Sequence, residues 1–168
     1  PRWCPDGSAN PILIQRLKDK LGNQANASSE VEFDGRTLGW LVGDEGRGVP
    51  QILAMGALTR LDCALGTAGM MRQALTLAIH DCRERMAFGK RLADHQVVRH
   101  RLVDMLSRIE TARALLEETA WRLDHSPPGD PALIASICML KNVATRTMQF
   151  CADGAVQTLG GMGFMRGT

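Results

Sequence analysis

Apolar residues recur at steps of three and four along three stretches of the chain. Leu61, Leu65, Ala68, Met71, Leu75, Ile79, Cys82 and Met86 draw one stripe, which predicts a helix from about Pro50 to Ala87. Pro50 suits the first turn of that helix, where its missing N–H is not needed. A second stripe, Val98, Leu102, Met105, Ile109, Ala112, Leu116, Thr119 and Leu123, alternates steps of four and three and opens at Asp94, read as its N-cap. After the turn sequence SPPGDP, a third stripe runs through Leu133, Ile137, Leu140, Ala144, Thr147 and Cys151, with Asp130 as cap and Pro131 in the first turn. At about 1.5 Å per residue each helix spans roughly 40–55 Å. Short connections force neighbours to run back alongside each other, so the pattern predicts an antiparallel bundle whose stripes form its core. Three helices of this length leave one side uncovered, and a fourth helix or another subunit is expected to cover it.

Ahead of the helices the period is different. PILIQRL, EVEF and TLGWLV are strand-length and partly alternating, and they are separated by turn chemistry in CPDG, LGNQANASS, FDG and VGDEG. They read as short strands, too few to close a stable sheet alone. The fold class is therefore mainly α: an up-down four-helix type of bundle with its fourth helix missing, preceded by a short β remnant. The expected domains are 1–46, the end of a β domain, and 47–168, an incomplete helical bundle.

Composition agrees with a helical protein. Hydrophobic residues make up 45% and charged residues 23% of the 168 positions, with 4% aromatics and no tyrosine. A formal charge of +2 is too small to bring nucleic acid by net field alone. Cys4, Cys63, Cys82, Cys138 and Cys151 include no C-x-x-C pair and read as reduced core residues of a cytoplasmic protein. No apolar run is long enough to span a membrane, and no signal peptide is recognisable. Because the chain begins at Pro1 rather than a methionine, further residues are expected before it.

Familiar catalytic signatures are absent. His80, His95 and His100 lack metal-ligand spacing, so no metal is expected, and neither G-x-S-x-G nor a phosphate-loop motif occurs. The segment CRERMAFGKRLADHQVVRHR, Cys82 to Arg101, is more informative. Arg83, Arg85, Lys90, Arg91, Arg99 and Arg101 crowd the break between two helices, a charge density suited to a phosphate or pyrophosphate. Phe88 beside Gly89 offers a flat apolar surface with close backbone access. A second set, QTLGGMGF from Gln157 to Phe164, adds a side-chain amide and a backbone that a planar ligand can approach.

RMAFGKRLADHQ resembles the R-x-x-F-G…HQ segment of the acyl-CoA dehydrogenases, and AVQTLGGMGF resembles their Q-x-L-G-G-x-G-[FY] segment. LVGDEGRGVPQILAMGALTRLDCALG is similar to the passage by which that family leaves its β domain and enters its helical domain. Order and spacing agree over most of the chain, while RLKDKLGNQANASSEVEF and TRLDCALGTAGMMRQA are most similar to the alkylation-response, AidB-like branch.

The resemblance implies a flavoprotein with FAD between the β domain and the bundle, its pyrophosphate and adenosine end touching a neighbouring subunit. Arg85, Phe88 and Gln96 match positions that hold FAD across that interface, and Gln157, Gly160 and Gly161 match a second FAD contact. Arg60 matches a residue near the substrate pocket. The implied reaction desaturates a short or branched acyl-CoA thioester: a carboxylate base takes the α proton while hydride leaves the β carbon for the flavin. In most of the family the glutamate base follows the Q-x-L-G-G segment, which here means beyond Thr168. A minority place it where this chain has Thr59. No catalytic residue is thus expected within the chain, which reads as a fragment inactive by itself. Expected partners are the acyl-CoA substrate and further copies of the chain in a homotetramer, a dimer of dimers sharing FAD sites; the electron acceptor is left open. The AidB-like branch implies an alternative, a flavoprotein that binds DNA and protects it from alkylation through a basic extension outside these residues.

Overall fold

The computed structural model describes residues 1–127 and 129–165. They fall into two compact units, one over Pro1–Gln51 and the other from Ile52 onward.

In the first unit, strands β1 (Ile12–Leu17) and β2 (Ser29–Phe33) pair antiparallel, with Ile12 opposite Phe33 and Ile14 opposite Val31. The register shifts between Ile14 and Arg16, after which Arg16 makes a two-pronged ion pair with Glu30 at 2.8 and 2.9 Å. TLGWLV, expected as a third strand, forms none. At Leu38 a side chain takes the place of a ladder. Asn10, buried, accepts from Leu38 N at 2.9 Å and donates to Leu38 O at 2.9 Å, so its amide occupies both groups that a neighbouring strand would use.

The second unit is built on helices α1 (Gly48–Glu84), α2 (Gln96–His125) and α3 (Pro131–Leu159). Two apolar clusters fix their directions. Leu61 and Ala64 of α1 share one cluster with Leu133, Ile137, Leu140 and Ala144 of α3, and Leu116 and Leu123 of α2 pack against it. Met71, Leu75 and Ala78 share the other with Met105, Ile109, Ala112, Cys151 and Ala155. Residue numbers rise from the first cluster to the second in α1 and α3 and fall in α2, so the helices run up, down and up, as their spacing predicts. Gly154 lets α2 and α3 approach closely, since a Cβ there would lie 2.8 Å from Met105 Sδ.

All six positions of the third stripe are buried. The first stripe needs correction: Leu65 is exposed, Met86 lies beyond the helix, and Ala64 and Ala78 are fully buried in their place. Small side chains carry this contact because α1 meets its neighbours at close range, and a pattern search weighted to large residues passes over them. α1 also stops at Glu84, ahead of the expected end at Ala87. Asp94 is not the cap of α2. It closes a 3-10 turn, Leu92–Asp94, and His95 occupies the cap position without a side-chain bond. Asp130 does cap α3, accepting from Ala132 N at 2.9 Å with Pro131 in the first turn.

The cysteines divide. Cys82 and Cys151 are buried and burial pushes both thiols up from their ordinary range, whereas Cys63 and Cys138 are exposed and so are not core residues. All five are free thiols. Among the described residues, no helix is long and apolar enough to cross a membrane.

Candidate functional site

Between α1 and α2 the chain forms a miniature hairpin, β3 (Met86–Ala87) against β4 (Lys90–Arg91), with Phe88 and Gly89 as its two-residue loop. Both loop residues have positive φ, 55° at Phe88 and 80° at Gly89. Two positive values are what the tight I′ turn of a two-residue hairpin requires. Glycine adopts them freely, but a phenylalanine there costs about 1–3 kcal/mol of backbone strain. The strain presents the ring at the hairpin tip, 92% exposed. One edge of it is held by His95, whose ring lies perpendicular at 6.1 Å and whose Nε2 is 3.2 Å from Ala87 O. Gln96, the first residue of α2, is also exposed.

Arg85 behaves differently from the cations around it. Arg83, Lys90, Arg91, Arg99 and Arg101 are exposed, whereas Arg85 is half-buried and its Nη1 donates to Leu159 O at 2.7 Å across 74 positions of sequence. That carbonyl ends α3 and immediately precedes the glycine turn. A single guanidinium thus joins the hairpin segment to the Gln157–Phe164 segment. Asp81, one helical turn before Arg85, lies 3.8 Å from Nη1; its Oδ2 is shielded from solvent and has no hydrogen bond.

At the other end of that bond Gly160 caps α3 with φ 60° and ψ −135°, and Gly160–Phe164 makes a 3-10 turn. Gly163 sits against the helix it follows: a Cβ would lie 2.6 Å from Val156 O. Gly161 has open space where its Cβ would point, so nothing among the described residues demands glycine there. Gln157 is exposed on the last turn of α3. Gly163 carries no sequence signal that sets it apart from its neighbouring glycines, because its close contact depends on how the turn folds back.

Arg60 is not part of this assembly. It lies on α1, roughly 38 Å of helical rise before Arg85, which stands just past that helix's end, and its Nη1 folds back over Gly56. Thr59 donates to Met55 O at 3.0 Å. The expected base beyond Thr168 lies outside the described residues. Among the described residues, no group of three or more His, Cys, Asp or Glu side chains could hold a metal ion.

The arrangement combines a half-buried cation, an exposed aromatic face, two exposed amides and a backbone open at Gly161. Residues 46–168 match the family described as acyl-CoA dehydrogenase, C-terminal domain. The chain belongs to the acyl-CoA dehydrogenase family. Within it, the chain is similar to AidB of Escherichia coli K12, with 44% identity over 98% of this chain and 30% of that protein. It is 29% identical to cyclohex-1-ene-1-carbonyl-CoA dehydrogenase of Geobacter metallireducens, over 92% of this chain and 40% of that one. Butyryl-CoA dehydrogenase from Megasphaera elsdenii has the same fold over 92% of this chain and 40% of its own, with a TM-score of 0.81 and 26% identity. The chain therefore spans well under half the length of these acyl-CoA dehydrogenase relatives. As a dinucleotide site the residues fit: a guanidinium suits a pyrophosphate, an exposed aromatic face suits a planar ring, and the open backbone at Gly161 admits close approach.

Proposed function

We propose that the intact protein is an FAD-dependent acyl-CoA dehydrogenase, and that Arg85, Phe88, Gln96, Gln157, Gly160 and Gly161 hold the cofactor. The Arg85–Leu159 bond is the observation that carries this reading, because it brings both cofactor segments of the resemblance into one unit. In that reading Arg85 neutralises phosphate charge, Phe88 covers an apolar ring face, and the amides of Gln96 and Gln157 satisfy polar edges. A bound flavin supplies the hydride acceptor for α,β-desaturation of a short or branched acyl-CoA thioester. The exposed ring at the hairpin tip suits contact with a second copy, in keeping with a homotetramer, a dimer of dimers sharing FAD sites. Residues 1–46 are assigned to the end of a β domain and 47–168 to the helical domain. The acid–base carboxylate is assigned to a glutamate beyond Thr168, and Arg60 to the edge of the substrate pocket. A cytoplasmic location accords with the free thiols.

A second reading is favoured by the 44% identity to AidB, well above the 29% to the Geobacter enzyme. In it the protein keeps FAD but serves the alkylation response by protecting DNA, through residues outside this chain. Anaerobic titration of the intact protein with butyryl-CoA and isovaleryl-CoA separates the two. Bleaching of the visible flavin band is expected for a dehydrogenase. A flavin that stays oxidised with both thioesters would contradict it and leave the alkylation-response reading.

A further inference from the structure

We propose that Arg85 is a positioning residue for the α3 terminus as well as a partner for phosphate, and that through it the hairpin sets the geometry of the glycine turn. The phosphate half of this statement rests on the FAD reading; the positioning half does not.

The last carbonyls of a helix have no partner within the helix and carry its negative end. Leu159 is the final residue of α3, and Nη1 of Arg85 supplies its carbonyl with a charged donor at 2.7 Å. Directly after it the backbone turns through Gly160, whose φ of 60° and ψ of −135° lie where only glycine rests comfortably. The 3-10 turn and the packing of Gly163 on Val156 hold the far side of this bend. The carbonyl fixed immediately before it holds the near side, and so sets where the Gly160 and Gly161 backbone points.

Arg85 is itself held on two sides. Its own N–H donates to Asp81 O at 2.8 Å and its carbonyl accepts from Leu92 N at 3.0 Å, so its backbone belongs both to the end of α1 and to the strand leaving the hairpin. At the side chain, Asp81 Oδ2 stands 3.8 Å from Nη1, too far for a hydrogen bond and close enough for charge attraction. A shielded carboxylate oxygen without a hydrogen bond is costly, and Arg85 is the cation that offsets it. Asp81 thus favours the rotamer that reaches Leu159. Nη1 is committed to that contact, while the rest of the guanidinium fork remains available to an anion. One residue performs both tasks only because its fork has several donors in fixed directions, which an ammonium lacks.

Hydrogen exchange on the intact protein with its cofactor removed, followed by FAD titration of the same samples, tests this. R85A and R85Q are expected to exchange the amides of residues 160–165 about tenfold faster than wild type, as befits the loss of a charge-assisted bond. Residues 133–144, in the far core cluster, are expected to keep their protection and so show that the fold survives. R85K keeps one charged donor, so it is expected to retain most of the protection at 160–165 while binding FAD about tenfold more weakly. Wild-type exchange in both R85A and R85Q would overturn the proposal. Faster exchange in those variants, with no FAD affinity in wild type, would uphold the positioning role and overturn the FAD reading instead. Accelerated exchange with wild-type FAD affinity in R85K would overturn the claim that one fork serves both tasks.

Discussion

At the scale of single residues, Gly161 and Gly163 separate ligand from structural roles. Gly163 has Val156 O 2.6 Å from where its Cβ would stand, so Gly163→Ala forces backbone to move. Overpacking of this kind costs about 1–3 kcal/mol, and urea unfolding is expected to report a loss in that range. A Cβ at Gly161 meets nothing among the described residues, so Gly161→Ala is expected to leave stability within about 0.5 kcal/mol of wild type. If FAD lies against that backbone, the same variant binds it about tenfold more weakly, and unchanged affinity would show that nothing approaches there. The sequence marked these glycines as a cluster but could not sort them, because the difference depends on the turn folding back onto α3. The Arg85–Leu159 bond was invisible for the same reason: it spans 74 positions and exists only once α1 and α3 are packed. Phe88 was legible as an exposed ring, since a phenylalanine beside a glycine at a helix break has no stripe to join.

At the scale of elements, caps decide where the helices begin. Asp130 accepts from Ala132 N, whereas Asp94, the same residue type ahead of a similar stripe, makes no such bond and forms only an exposed ion pair with Arg99 at 3.6 Å. Asp130→Ala is therefore expected to cost about 1 kcal/mol in chemical unfolding. Asp94→Ala is expected to cost under about 0.5 kcal/mol, since exposed pairs contribute little. Equal losses at the two positions would contradict this difference. The sequence suggested a cap at both because residue type alone does not reveal that a 3-10 turn precedes α2. All six positions of the α3 stripe are buried, its start being marked by cap and proline, while the small residues Ser136, Gly154 and Ala155, also buried, escape a pattern built on large apolar side chains. In α1 the start is legible and Leu61, Met71, Leu75 and Cys82 of the stripe are buried, but Leu65 and Met86 are not, and Ala64 and Ala78 pack where larger residues are expected. The supposed strand TLGWLV failed for a nonlocal reason, the Asn10 amide 28 residues away that takes both hydrogen bonds of Leu38.

At the scale of the molecule, the three helices leave apolar surface uncovered. An open groove of about 530 Å³ runs between α1 and α2 over Met71, Leu75, Ile109 and Leu116, and Leu65, Met70 and Leu77 of α1 are exposed elsewhere. This matches the sequence-based expectation that three such helices lack a covering partner. Bundle and family are legible because heptad spacing and two spaced motifs persist along the chain, whereas the choice of acyl chain is not, because a single candidate such as Arg60 does not define the shape of a pocket. In the proposed function the hairpin and the α3 terminus together form an FAD site. The most direct test of that site is the flavin content of the purified intact protein, read from its visible spectrum and from FAD released on denaturation. The account predicts stoichiometric FAD in wild type, with a melting temperature that rises when FAD is added to stripped protein, because a ligand that binds only the folded state stabilises it. Protein that carries no flavin and melts at the same temperature with and without added FAD would contradict it.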